Sequence, residues 1–276
     1  MIHLFPKFKN RMLIICAVYL VLVGVYVKLN PSMHPVLPLA IAVVGVLVVF
    51  VSQSLNAANA HAQMLARLYN HMNVDGFLKS YLPFLDLKLK NQSLQLMVRL
   101  HVSNAYCAQG RFDEAEALLK SITLTPGKKH EDDLLSKFAV VSNLCYCAEQ
   151  KNDLEKAQKY MDELLALKKE LEALQTSKPE KKKMVFNTEL NEQCLKLMTT
   201  GKADINLLKG LVQNNTQQLH RVTISLWVAR AYLAENNRRE AEKILDQIIK
   251  LAPDLYPGKA AQSLLNGLPA KSEDNH

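Results

Sequence analysis

The sequence has no acidic residue before Asp75 and no charge of either sign in residues 12–27 or residues 36–51. These uncharged runs offer no polar face, which argues against a helix on the surface of a soluble globule. With their flanks, they approach the ~20 residues that a helix needs to cross the hydrocarbon core of a bilayer. We therefore predict two transmembrane helices, over residues 12–29 and 36–54.

The first apolar run has two alternatives to a retained membrane anchor. A buried core helix is the first, but apolar runs of this length are more typical of membrane spans. A cleaved signal peptide is the second, because Lys7, Lys9 and Arg11 resemble a charged n-region. The residues after the first run offer no small-x-small cleavage site, and a second apolar run follows at once. We expect the first span to be retained.

Basic residues predict the orientation of this hairpin. Lys7, Lys9 and Arg11 precede the first span, Lys28 alone lies between the spans, and cations resume at Arg67. Basic residues favour the cytoplasmic side of a membrane. The pattern predicts a multi-pass protein of the cell membrane, with both termini and the C-terminal domain in the cytoplasm and residues 30–35 outside.

Charge gives little support for nucleic acid as a partner. The net charge is +8, and the membrane segment supplies four of these charges because it contains no acid. Proteins that read nucleic acid usually cluster Lys and Arg on one face. The remaining domain is only mildly basic, so we expect no nucleic-acid partner.

The sequence also lacks the motifs of catalysis and metal binding. It contains no P-loop, no GxGxxG after a strand, no HExxH and no GxSxG. None of the five cysteines forms a CxxC pair, and Cys145 and Cys147 point to different sides of a helix. We therefore assign no catalytic residue, no metal ligand and no cofactor, and we do not expect an enzyme.

A spaced pattern recurs along the rest of the chain. Ser103 is followed at offsets of three, seven and twelve residues by Tyr106, Gly110 and Ala115. The same offsets recur in the segments that start at Cys145 and Ala229. The residue at offset seven is Gly or Asn, and both tolerate the left-handed conformation that ends a helix. The starting residue and the residue at offset twelve are small, so two antiparallel helices can approach closely there. Each copy therefore predicts a helical hairpin.

This pattern, best preserved in "GRFDEAEALLKSI" and "NRREAEKILDQIIKLAP", resembles the tetratricopeptide repeat. The resemblance implies helix pairs that stack into a solenoid. Two weaker copies start at Ala66 and Cys194, where Leu78 and Asn206 replace the small residue at offset twelve. The second weaker copy has the alternative of a helix pair with unrelated geometry.

The predicted fold class is all-α: two transmembrane helices, then a solenoid of four to five hairpins with a C-terminal capping helix. The lysine-rich stretch near residue 180 is interpreted as a solvated linker. The predicted organisation is a basic N-terminus at 1–11, spans at 12–29 and 36–54, an external loop at 30–35, a solenoid at 55–267 and a disordered tail at 268–276.

The concave face supplies the candidate site. In stacked hairpins, the residue that follows the starting residue of each copy is expected to point into the inner groove. The candidates for partner binding are therefore Arg67, Asn104, Tyr146 and Arg230. Some proteins of the family clamp a C-terminal carboxylate with Asn and Lys. Asn104 and Asn143 match two clamp positions, but Leu100 replaces a Lys, and Thr188 and Glu192 replace the later cations.

These features favour a bacterial-type membrane scaffold that binds a protein or peptide, such as a subunit of a membrane complex, on its concave face. One alternative is a regulator that senses a peptide and changes conformation. The other is a membrane enzyme without a recognisable motif. The sequence does not identify the partner.

Overall fold

The structure, a computed structural model, describes residues 5–32, 34, 36–87, 92–124, 130–174 and 178–268. The described residues divide into two compact units, one within the ranges 1–66 and 86–90 and one within the ranges 67–85 and 91–276. All regular elements of the described part are helical, which confirms the predicted all-α class. The predicted tail lies outside the described residues except for Leu268.

The first unit contains two apolar helices. Helix α1 spans Pro6–Leu29, and helix α2 spans Val36–Tyr69, with its last turn in the second unit. Both helices are long and apolar enough to cross a membrane. Their large apolar side chains are mostly exposed to the surroundings, as for Val21 and Leu39 at 65% and 66%. Such surfaces suit lipid better than water.

Helices α1 and α2 meet at a tyrosine and a glycine. The hydroxyl of Tyr19 donates a hydrogen bond to the carbonyl oxygen of Ile41 at 2.7 Å. The Tyr19 ring lies so close to Gly45 that a Cβ there would collide with it. Small residues permit this kind of close approach between apolar helices.

The second unit is built from ten further helices among the described residues. Their bounds are α3 Val74–Tyr81, α4 Gln92–Gln109, α5 Phe112–Lys120, α6 His130–Gln150, α7 Leu154–Ala173, α8 Lys178–Thr200, α9 Ile205–Asn214, α10 Gln218–Ala234, α11 Arg238–Leu251 and α12 Tyr256–Asn266. The last turn of α2 is followed by α3, and the next eight helices follow as four consecutive pairs, of which α8 and α9 are in the least extensive contact because α9 packs mainly on α10. Five hairpins and the predicted terminal helix result.

A residue with positive φ ends the first helix of every hairpin. The φ angles are +80° at Gly110, +57° at Asn152, +69° at Gly201 and +59° at Asn236, at the predicted positions. Gly and Asn occupy this left-handed region at least cost. The first helix of the fourth hairpin therefore ends with a left-handed residue, as in the others. In the first hairpin the left-handed residue is Met72, with φ of +52°.

The predicted register of the first hairpin is therefore wrong by one residue. Asn73, expected in the left-handed position, instead caps the N-terminus of α3 with its side chain. Phe77 of α3 is fully buried, and Leu78, the residue predicted at offset twelve, is 6% exposed. The turn therefore comes one residue earlier than predicted, and the Asn73 side chain is used to cap α3.

The fourth hairpin departs from the pattern in its turn. Helix α9 starts four residues after Gly201, whereas the second helices of the other hairpins start two residues after the left-handed residue. The two extra residues move the crossing position from Asn206, which is exposed, to Leu208, which is fully buried. The equivalent residues Ala115 and Ala157 are also fully buried.

Core clusters lie between consecutive hairpins. One cluster joins α4, α5 and α6, a second joins α6, α7 and α8, and a third joins α8, α9 and α10. Fully buried leucines such as Leu164 and Leu245 anchor the second helices, and each such side chain contributes about 1.5–3 kcal/mol through burial. The hairpins are thus held by their neighbours, as in a solenoid.

The interpretation of the lysine-rich stretch as a linker is wrong. Helix α8 begins at Lys178, so the lysine run forms the first turns of that helix. Lysine is a good helix former. Met184, one residue after the run, is buried in the cluster with α6 and α7. This contact anchors the start of α8.

The inner face of the solenoid closes on itself at two places. The rings of Tyr69, at the end of α2, and His220, on α10, lie 5.1 Å apart between centroids. The ring of Tyr256, on α12, lies 4.7 Å from that of Phe112, at the start of α5. Helix α12 also packs against α4. The long free concave surface expected of stacked hairpins is therefore shortened, because aromatic side chains bridge its ends.

Candidate functional site

A cavity of about 190 Å³ lies where the first helices of four hairpins meet. We call it the inner cavity. Helices α4, α6, α8 and α10 all contribute to its wall, and the polar side chains that line it are Asn104, Ser142, Asn143, Tyr146, Asn187, Asn191, His220 and Thr223. None of the described residues of the wall is charged at neutral pH. The cavity is thus polar but uncharged.

Carboxamide groups dominate this lining. The amide of Asn104 donates to the hydroxyl of Tyr69 at 2.9 Å, and that of Asn143 donates to the carbonyl oxygen of Ala139 at 2.8 Å. Asn191 donates to the hydroxyl of Ser142 at 3.4 Å. Each carboxamide also has an oxygen with two lone pairs. These oxygens accept no hydrogen bond from the other described residues.

Tyr69 contacts two residues of the cavity wall, Asn104 and His220. The hydroxyl of Tyr69 lies 2.7 Å from Nδ1 of His101, and its ring contacts His220. Burial lowers the pKa of His220 to about 4. The imidazole is therefore neutral at physiological pH and presents a donor and an acceptor.

Of the four predicted site residues, Asn104 and Tyr146 line the inner cavity. Arg230 lies outside its wall: its guanidinium stacks 4.4 Å from the ring of Trp227 and donates to Gln150 and to the hydroxyl of Tyr256, each at 3.5 Å. This side chain therefore holds α12 in place.

Arg67 lies apart from the inner cavity. It is exposed and donates to the hydroxyl of Ser80 at 3.2 Å. Tyr69, two residues later on α2, instead contacts the cavity residues Asn104 and His220.

The clamp-like positions hold no cation. Asn104 and Asn143 both line the cavity, but Leu100 packs in the core cluster with Phe112. Thr188, at a later clamp position, is buried and donates its hydroxyl to the carbonyl oxygen of Met184, one turn earlier. A carboxylate in the cavity would have no positive partner among the lining residues.

The buried thiols are poor nucleophiles. The Sγ atoms of Cys107 and Cys147 lie 3.6 Å apart. This contact with Cys147, together with burial, raises the pKa of the Cys107 thiol well above its ordinary value. Burial likewise raises the pKa of Cys194. Thiols that stay protonated are weakly reactive and pack as small apolar groups.

Glu149 is a buried acid beside these thiols. It is 3% exposed, and the thiol of Cys145 lies 3.5 Å from its Oε1 atom. Its Oε2 atom has no hydrogen-bond partner among the described residues. Burial raises the pKa of the Glu149 carboxyl well above its ordinary value, so the protonated form is favoured. The group does not line the inner cavity.

Sequence reasoning missed Asn187 and His220 as cavity residues, and Tyr69 as a contact of the wall residues Asn104 and His220. The spacing of Asn187 and Asn191, one helical turn apart, was the available signal, because such residues share a face. His220 carried no signal, since its neighbour Tyr69 lies far away in the sequence.

Comparison with known proteins supports the repeat assignment. The family model described as "Tetratricopeptide repeat" matches residues 223–255, which cover the second half of α10, all of α11 and the turn that follows. No curated protein and no solved structure matches the chain significantly. The chain therefore contains a tetratricopeptide repeat, and its other hairpins are consistent with the same unit.

Proposed function

We propose that the protein is a membrane-anchored scaffold whose five hairpins bind a partner protein or peptide at the inner cavity. Tetratricopeptide repeats generally mediate protein–protein interactions and are generally not enzymes. The observation that carries the proposal is the meeting of four first helices around one cavity with unused hydrogen-bonding atoms. Such a preformed recess suits a side chain of an extended segment or helix.

The anchoring part of the proposal rests on the two apolar helices of the first unit. Their length and exposed apolar side chains support insertion into a bilayer. The cations at Lys7, Lys9 and Arg11 support a cytoplasmic N-terminus, and an even number of spans returns the chain to the same side. A partner in this arrangement is a cytoplasmic protein or a subunit of a membrane complex.

Affinity capture from crosslinked membranes tests the binding part. We expect the partner captured by the wild type to be lost from the variant with Asn143→Leu and Asn187→Leu, since both side chains line the cavity. The matched control replaces Asn206 and Asn214 with leucine, because both are exposed on α9. An unchanged partner list for the cavity variant would refute the proposal.

A separate fusion experiment tests the topology. Alkaline phosphatase fused to the C-terminus is expected to be inactive in cells, because this enzyme needs an oxidising compartment for its disulfides. Activity of the fusion would place the second unit outside the cytoplasm and overturn the proposed localisation.

A peptide-sensing regulator is the second candidate function, and the closed inner face favours it. Tyr256 contacts Phe112, and Arg230 reaches both Tyr256 and Gln150, so entry of a long segment requires these contacts to open. Paired spin labels on α12 and α5 measure the distance between these helices. A distance that does not change when the partner binds favours the scaffold over the regulator.

A further inference from the structure

The carboxamides of α6 and α8 present unused hydrogen-bonding atoms to the inner cavity. Asn143 uses its amide for a bond within α6, which leaves its Oδ1 atom without a donor among the described residues. Asn187 forms no hydrogen bond with another described residue, so both its amide and its oxygen are available. The hydroxyl of Ser142 accepts one bond from Asn191 and retains its own proton to donate.

The charge of the wall determines which ligand group these atoms can receive. No described residue of the wall carries a charge at neutral pH, and His220 is neutral because burial lowers its pKa to about 4. A carboxylate or ammonium that enters such a site loses hydration without gaining an opposite charge. A neutral polar group pays a smaller desolvation penalty and recovers it through hydrogen bonds.

We infer that the inner cavity binds the uncharged carboxamide side chain of an Asn or Gln residue of the partner, in preference to a carboxylate or an ammonium. A carboxamide offers two donors and an oxygen acceptor. These complement the free oxygen of Asn143, the free carboxamide of Asn187 and the hydroxyl of Ser142. The inference rests on the proposed function, because it takes the ligand to be part of a polypeptide.

The size of the cavity agrees with this ligand class. Its volume of about 190 Å³ exceeds the roughly 10–15 Å³ that one water molecule needs. Apolar lining from Phe186, Leu190 and Leu219 can contact the methylene groups of an Asn or Gln side chain. The wall thus provides both the polar and the apolar contacts that such a side chain makes.

Saturation-transfer NMR on the full-length protein in detergent micelles tests the inference. The probes are N-acetyl-asparagine N-methylamide and N-acetyl-aspartate N-methylamide, which differ only in the side-chain group. Matched glutamine and glutamate probes extend the comparison by one methylene, and a lysine probe tests a cation. We expect the amide probes to bind at least about tenfold more tightly than the charged probes, as the loss of one or two hydrogen bonds and a desolvation penalty predict.

Variants connect the binding to the cavity. We expect Asn187→Leu to abolish the preference for the amide probes and the exposed Asn206→Leu to leave it unchanged. Asn143→Leu is a second cavity variant, used if the emission of Trp227 shows that Asn187→Leu does not fold. Equal or tighter binding of the acid probes, no binding of any probe, or amide binding unaffected by a folded cavity variant would overturn the inference.

The outcome is separable from that of the membrane capture experiment. Loss of the captured partner in the cavity variant, without any preference for amide probes, overturns the inference and leaves the scaffold proposal standing. A clear preference for amide probes with an unchanged partner list supports the carboxamide site and refutes the scaffold proposal.

Discussion

Acidification should destabilise the second unit through His220. This residue lies on α10, lines the inner cavity and packs 5.1 Å from the ring of Tyr69. No carboxylate lines the described wall to stabilise an imidazolium. Burial lowers the pKa of His220 from 6.5 to about 4, so the folded protein resists protonation that the unfolded chain accepts.

The sign and size of the effect follow from this difference. Between pH 6.5 and pH 4 the unfolded chain binds one more proton than the folded protein, so the free energy of unfolding falls as the pH falls. Each pKa unit corresponds to about 1.4 kcal/mol. The shift of His220 therefore sets an upper limit of about 3 kcal/mol, and partial exposure of the ring reduces this to about 1–3 kcal/mol.

Trp227 provides the assay. It is the only tryptophan, lies on α10 and is 3% exposed, so its emission reports unfolding of the second unit. Urea unfolding of the full-length protein in micelles is measured at pH 7 and pH 5 for the wild type and for His220→Gln, which is neutral at both values. We expect the wild type to lose about 1–2 kcal/mol more than the variant between these pH values.

The matched control is His71→Gln, because His71 is exposed in the turn between α2 and α3. This variant is expected to keep the acid sensitivity of the wild type. Equal acid sensitivity in the wild type and His220→Gln would refute the assignment of His220 as a buried neutral imidazole.

Three further predictions use the same unfolding assay. Glu149→Gln should stabilise the protein at pH 7. The pKa of the Glu149 carboxyl is raised by burial, so the free energy of unfolding of the wild type falls by about 1.4 kcal/mol for each pH unit above the unfolded pKa of 4.5. The stabilisation by the variant should shrink near pH 5, and a stabilisation that does not depend on pH contradicts the argument. Tyr256→Ala should cost about 2 kcal/mol through lost packing on Phe112, whereas an unchanged midpoint shows that this contact does not stabilise the closed inner face. Asn236→Ala should cost about 1 kcal/mol because φ is +59° there; Asn236→Gly, the control, should cost less.

Local chemistry explains why most hairpin turns were predictable. Gly110, Asn152 and Asn236 each tolerate the left-handed conformation that the turn requires, and all three adopt it. The preference belongs to the residue itself, so it can be read without knowing its neighbours in space. The small residues at the crossings, such as Ala115, follow the same logic.

The first hairpin shows where local preference fails. Met72 adopts a positive φ although Asn73, next to it, is better suited to that region. In this register, Asn73 caps α3 and Phe77 is fully buried. The shift does not account for Tyr69, because it would replace Arg67 with Ala66 as the groove residue, whereas Tyr69 is the residue that contacts Asn104.

The sequence by itself determined the two apolar helices, the hairpin pattern and most turn positions, because uncharged length, helical spacing and left-handed tolerance are local properties. Only the tertiary structure decided which side chains share the inner cavity. Asn104, Asn143 and Asn187 come together there because four helices, far apart in the chain, pack side by side. Tyr69 and His220 meet for the same reason, since they lie on α2 and α10, far apart in the sequence.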